Sequence, residues 1–245
     1  MIYKTAQYIS CTKKQRRKEY IGAIGIVSVS ARQCRKKNIF FGVFLICLRI
    51  SGFTFTEIKT SMLQGGYKIR NQAAIHFLTF AVVEWVDVFT QKGYRDIVLD
   101  SIRFCQAEKG LLLHCWCIMS NHVHLIASAK RENLSDVLRD FKKVTSKKVI
   151  EAIKQNKSES RRDWMVRIFE EQGQKNSRNT NWQFWRQDNH PEELYSSAFI
   201  VQKMNYIHNN PVEAGIVEKP EHYLYSSAKD YFHTKKCGLL DLIFL

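Results

Sequence analysis

Two apolar, β-prone runs separated by two residues constrain this chain more than any other feature. Leu111 to Met119 and His122 to Ser128 flank Ser120-Asn121, which has the length and chemistry of a tight hairpin turn. A hairpin alone is marginal in water and needs further strands and helices to cover it. Ile75 to Val83 reads as a strand. Tyr94 to Lys109 reads as a helix, with Ile97, Val98, Ile102 and Phe104 at helical spacing and Gly110 as its stop. Ser135 to about Gln155 reads as a long helix carrying Val137, Leu138, Phe141, Val144, Val149 and Ile153. Trp182 to Gln187 reads as a strand. Ser196 or Ser197 then caps a helix that runs to Asn210 and ends at Pro211. The order βαββαβ predicts an α+β, ferredoxin-like fold: one antiparallel sheet with helices on one face, and the last helix beside the central hairpin.

At 245 residues and 45% hydrophobic content, the chain can bury a core in one domain, but its net charge of +15 is unevenly spread. Residues 1–61 carry twelve lysines and arginines against Glu19 and Glu57, a net +10, leaving +5 for residues 62–245. Basic clusters at Lys13 to Lys18 and Arg32 to Lys37, among apolar patches without steady period, predict an extension outside the core. It reads either as a disordered arm or as translated sequence upstream of a natural start at Met62. Residues 62–245 then form the functional domain, in which the polar stretch 156–181 reads as an insertion with one short amphipathic piece, Trp164 to Phe169.

Excess basic charge favours polyanions, usually nucleic acid. The seven cysteines lack the paired spacing of a zinc ribbon, and Cys115 and Cys117 share one face of a strand. They are expected as reduced, buried small hydrophobes, as in the cytosol. Residues 1–20 are polar and basic without a leader pattern, and Ile39 to Leu48 is too short to span a bilayer. The expectation is a soluble cytoplasmic protein.

The chemistry gathers at two places. His122 and His124 lie i, i+2 in a strand, so both imidazoles point to one face and can reach one metal ion. Tyr206 and Asn210 lie i, i+4 on a helix, sharing a face about 6 Å apart along the axis. Each pair has a plainer reading, since a His-x-His strand is common and an aromatic on a helix is usually core. Together they are what a phosphotransfer nuclease with a tyrosine nucleophile needs. A free phenol is a weak nucleophile, but a metal that polarises the phosphate under attack makes it competent. Asn210 offers a neutral oxygen ligand one turn from Tyr206; His208 points elsewhere and reads as a DNA contact or surface residue. Arg139, Lys142, Lys143, Lys147 and Lys148 on the long helix, together with Arg186, read as DNA phosphate contacts. Trp182, Phe184 and Trp185 can stack unpaired bases, although part of that set reads as core.

Three motifs carry a family resemblance. Met119-Ser120-Asn121-His122-Val123-His124-Leu125-Ile126, Phe184-Trp185-Arg186-Gln187-Asp188-Asn189-His190 and Tyr206-Ile207-His208-Asn209-Asn210-Pro211-Val212-Glu213-Ala214-Gly215 follow one another in order, with Tyr225-Ser226-Ser227-Ala228 after them. The set resembles the REP-associated tyrosine transposases, single-tyrosine members of the HUH (His-hydrophobe-His) endonuclease superfamily. The resemblance spans about Gly66 to Phe232 and implies a ferredoxin-like palm, a divalent metal (Mg²⁺ or Mn²⁺) and cleavage of single-stranded DNA near REP-like hairpins by a monomer or homodimer. Carried over, the metal ligands fall on His122, His124 and Asn210, and the nucleophile on Tyr206. Residues 1–61 and 156–181 match no part of the motif set. Two other readings stay open at this level. One is a metallohydrolase that activates water at the histidine pair. The other is a hairpin-DNA-binding protein without turnover.

Overall fold

A computed structural model of the chain describes residues 68–176, 181–187, 190–232 and 238–245, all within the unit Ile58–Leu245. The extension assigned to residues 1–61 lies outside the described residues.

The hairpin forms as expected. β2 (Leu111–Ile118) and β3 (His122–Ala129) pair antiparallel, from Leu111 opposite Ala129 to Ile118 opposite Val123. β1 (His76–Ala81) takes the other edge of β3, with Thr79 opposite His124 and Ala81 opposite His122. A two-residue strand, β4 (Glu192–Glu193), pairs with the free edge of β1. The sheet order β2-β3-β1-β4, antiparallel throughout, is the ferredoxin-like arrangement.

Alternation divides each strand between two faces. Leu78, Phe80, Trp116, Val123 and Leu125 are buried on one face, beneath α1 (Lys92–Lys109) and α2 (Leu134–Gln155). There the Phe80 ring meets Phe141 of α2 at 5.5 Å between centroids. On α1, Val98, Leu99, Ile102 and Cys105 turn inward, and Gly110 ends the helix at φ 74° while its N–H donates to the Cys105 carbonyl. A left-handed residue closing the last turn is the usual place for glycine. Cys105, Cys115 and Cys117 are buried, free thiols, as expected.

The stretch 156–181 contributes more than a polar insertion would. Its residues Arg162–Gln174 form α3, whose Met165 and Phe169 are wholly buried, and Phe169 packs on Phe184 at 5.3 Å. Gly173 of α3 sits so close to the following segment that a Cβ there would lie 2.5 Å from the Trp182 Cα. Gly173→Ala must push backbone apart, with an expected loss of roughly 1–3 kcal/mol. Gly93→Ala, with open space around it near the start of α1, should instead gain up to about 1 kcal/mol of helix stability. Thermal denaturation of the two variants checks both signs.

Two expectations for the C-terminal third are corrected. Trp182 to Gln187 is not a strand: it touches the end of β1 through one bridge, Val82 with Trp185. Beyond Val82, which is still extended, the chain enters a short 3₁₀ turn with Glu84 and Trp85 at φ 51° and 53°, so pairing does not continue past that bridge. Nor does Pro211 end α4 (Ser197–Glu213). The turn around it is closed from outside, by N–H donation from Ala214 to Asn210 and from Ile216 to Pro211. Gly215, at φ 69°, provides the stop. At the other end the Ser196 hydroxyl accepts from the Phe199 N–H, the expected cap. A short α5 (Ala228–Phe232) follows. No helix among the described residues is long and apolar enough to cross a membrane.

Candidate active site

The sheet face opposite α1 and α2 carries His122, His124, Thr79 and Phe77, and α4 packs across it. Helix α4 buries Ile207, His208 and Pro211 and leaves Tyr206 52% exposed. The two sequence-predicted pairs therefore meet. The His122 and His124 rings lie 4.6 Å apart between centroids, His124 and Tyr206 5.4 Å, and the Asn210 amide nitrogen stands 3.4 Å from His124 Nε2. Phe77 stacks on His124 at 5.6 Å and meets the Tyr206 ring edge-on at 5.9 Å, fixing both.

The hydrogen bonds decide which ring nitrogens face the site. His122 Nδ1 lies 2.7 Å from the Asn121 side-chain carbonyl, which can only accept, so Nδ1 carries the proton and Nε2 keeps its lone pair. That carbonyl's orientation is itself set, because the Asn121 amide donates to the Trp85 carbonyl at 3.3 Å. His124 Nδ1 lies 2.9 Å from the Thr79 hydroxyl, and its Nε2 faces Asn210. Thr79 was not singled out from sequence, and Asn121 was named there only as a turn and motif residue. Asn121 belongs to the hairpin turn, and Thr79 is identified only by the cross-strand register.

Both imidazoles are held neutral. Burial lowers the His122 pKa, partly offset by a hydrogen bond with the Asn210 side chain. Burial, then the neighbouring His122 and the Lys203 ammonium, brings His124 down to about 3. Neutral imidazoles are what a metal requires. The donor set fits a divalent ion: two imidazole lone pairs on one face, and an amide whose half-turn replaces Nδ2 by Oδ1. Among the described residues no group of three or more histidine, cysteine, aspartate or glutamate side chains could hold a metal ion, so a third protein ligand here would be a neutral group such as the Asn210 amide. Asn121→Ala should free the His122 ring to rotate and change tautomer, weakening metal binding roughly 10- to 100-fold. Isothermal titration with Mn²⁺ reads this directly, and an unchanged affinity would remove Asn121 from the support of the site.

The remaining sequence-predicted residues divide. Arg186 joins the site, its guanidinium 5.3 Å from the Trp85 ring centre, and Trp85 in turn meets His122 at 5.9 Å. Arg139, Lys142, Lys143, Lys147 and Lys148 all sit on α2, across the sheet from Tyr206. Arg139 is paired with Asp136 and Asp140, and burial lowers the Lys142 pKa. Of the aromatic set, Phe184 and Trp185 are core; Trp185 donates its indole N–H to Thr145 at 3.2 Å.

His208 is corrected outright. It is buried, with Nε2 2.9 Å from the Ser227 hydroxyl and 3.2 Å from the Cys115 sulfur. A histidine beside a cysteine invites a nucleophile reading, yet burial raises the Cys115 thiol to about 12 and lowers His208 to about 4. The pair is neutral and structural. An unfolded chain takes up the His208 proton near pH 6.5, before the folded one does. Stability is therefore intact above about pH 6.5 and falls between there and 4, by up to roughly 3 kcal/mol. Denaturation midpoints across that window check it; a flat profile would contradict a neutral, buried ring.

Comparison with known proteins agrees with this architecture. Residues 71–180 match the family described as "Transposase IS200 like". That stretch contains His122 and His124, whereas Tyr206 and Asn210 lie beyond it. A search of curated protein sequences found no match. Among solved structures, a REP-associated tyrosine transposase bound to a REP hairpin superposes with TM-score 0.50 at 14% identity, over 68% of this chain and 84% of that one. A candidate transposase from Deinococcus radiodurans gives TM-score 0.33 at 18% identity, over 60% and 95%. Residues 71–180 are thus similar to the IS200-like transposases, and the chain shares the fold of a solved REP-associated tyrosine transposase.

Proposed function

We propose that the protein is a single-stranded DNA nicking-and-joining transposase that uses Tyr206 as its nucleophile and acts near DNA hairpins. The observation that supports this best is the half-exposed Tyr206 on α4, 5.4 Å from His124, on the same face of the sheet as both histidines. The solved relative bound to a REP hairpin has the same fold, which makes a hairpin the first substrate to try.

His122, His124 and Asn210 would hold a divalent ion, Mg²⁺ or Mn²⁺; when bound, it polarises the phosphate and offsets the charge built up during attack. The Tyr206 oxygen forms a bond to phosphorus as the P–O3′ bond breaks. The phenolic proton passes to solvent, to which Tyr206 is open, and the departing 3′-oxygen takes one up. The product is a 5′-phosphotyrosine with a free 3′-hydroxyl, and attack by a second 3′-hydroxyl reverses the step without ATP. Phe77 and Thr79 keep His124 fixed beneath the nucleophile. Arg186, next to the histidines, serves as a phosphate contact on the cleaved strand, while Arg139, Lys142, Lys143, Lys147 and Lys148 on α2 serve as contacts to hairpin phosphates further away.

Covalent trapping tests the proposal. End-labelled hairpin DNA with single-stranded flanks should become attached to the protein, and digestion with mass spectrometry should find the adduct on Tyr206. Hydrolysed product without adduct would favour a water-activating metallohydrolase, and tight binding without cleavage a non-enzymatic hairpin binder.

A further inference from the structure

Beside the histidine pair lies a cavity of about 250 Å³, walled by Phe77, Thr79, Trp85, Arg186, His190 and Glu192. Its walls are shared with the site. Phe77 touches both His124 and Tyr206, Thr79 holds His124, and Trp85 meets His122. Three features of Trp85 stand apart from ordinary packing. It is 49% exposed, although it is a large aromatic side chain. It is carried on two consecutive non-glycine residues in the left-handed region, Glu84 and Trp85, a conformation that surrounding structure must enforce. That enforcement is visible: Gln172 donates to the Glu84 carboxylate at 2.7 Å and Asn121 to the Trp85 carbonyl at 3.3 Å. Finally, the Arg186 guanidinium lies over the Trp85 ring.

We propose that this cavity is a nucleobase pocket, in which one unpaired base next to the cleaved phosphate stacks on Trp85. Aromatic faces interleaved with cations are the usual platform for unpaired bases, because every base has a π-face and every nucleotide a negative charge. Arg186 is positioned to meet the phosphate of the stacked nucleotide, and Glu192 and His190 offer polar groups to the base edge. Glu192 is itself steadied by Lys203 at 2.8 Å. Seating the base here fixes the backbone that follows it over His122 and His124, so the pocket chooses which phosphate Tyr206 reaches. Asn121 links the two functions, holding the Trp85 backbone with its amide nitrogen and the His122 ring with its oxygen.

This inference rests on the proposed single-stranded DNA substrate, and its test separates the two. The full chain carrying Tyr206→Phe binds DNA without cutting it and serves as the reference. Binding is measured for hairpin DNA with an abasic site introduced in turn at each nucleotide flanking the cleaved bond, with Trp85 intact, Trp85→Ala or Trp85→Phe. Trp85→Ala should weaken binding of intact DNA roughly ten- to hundredfold, the range of one base–aromatic stack. One abasic position should reproduce that loss, and combining it with Trp85→Ala should cost nothing more. Trp85→Phe should restore most of the affinity, which loss of folding would not allow. If the reference binds but the losses add at every position, or Trp85→Ala binds normally, the pocket is overturned and the functional reading stands. If the reference binds no unpaired DNA at all, both fall.

Discussion

Replacing Tyr206 by phenylalanine is expected to abolish covalent adduct formation and cut strand cleavage by a factor on the order of 10⁶, the scale of losing an enzymic nucleophile. The change removes one oxygen and keeps the ring that packs against Phe77 and His124. Fold stability and hairpin affinity should therefore be almost unchanged. Gel-shift titration and adduct trapping on one labelled hairpin, run side by side, separate the two quantities. An adduct that persists in the phenylalanine protein would assign the nucleophile to another residue.

The second large effect concerns the histidines. His124→Ala or His122→Ala should each lower cleavage by roughly 10³-fold, the rate equivalent of several kcal/mol of lost charge stabilisation. Asn210→Ala should be milder, since water can replace a neutral oxygen ligand. Chelator should silence the unmodified protein, and Mg²⁺ or Mn²⁺ should restore it. His124 is only 2% exposed, so its alanine variant also leaves a cavity, and circular dichroism must confirm the fold before the kinetics are read. Cleavage that continues undiminished in excess chelator would remove the metal from the scheme.

The parts of this fold that were legible in the sequence are those written in local periodicity. The hairpin, α1 and α2 follow from alternation, helical spacing and Gly110, and the histidine pair follows from strand parity alone. What was illegible depended on partners remote in sequence. His208 looked polar and therefore exposed; its partners Cys115 and Ser227 are 93 and 19 residues away. The aromatic run 182–187 had strand composition, but the chain after β1 stays extended only to Val82 and then turns through Glu84 and Trp85. Met165 and Phe169 were visible as a short amphipathic piece, yet only the Phe184 ring shows that the piece is core. Tyr206 and Asn210 were assigned as a pair from i, i+4 spacing, while the Thr79 and Asn121 bonds that orient the histidines required the register of three strands.

The buried contacts of His208 bear on the proposed nucleophile two residues away. Successive positions of that separation point to nearly opposite sides of a helix, so α4 is pinned to the sheet on one side and presents Tyr206 on the other. Ser227 makes the pin double, since its hydroxyl also accepts from the Trp116 N–H at 3.0 Å and its own N–H donates to the Trp116 carbonyl at 2.9 Å. The helix carrying the proposed nucleophile and the hairpin carrying the histidines are thereby clamped through one serine. Much of a displacement reaction's barrier is the entropy of bringing attacker and target into line. Under the proposed reaction, that alignment is prepaid by a neutral imidazole, a protonated thiol and a hydroxyl, none of which is near Tyr206 on its own face of the helix.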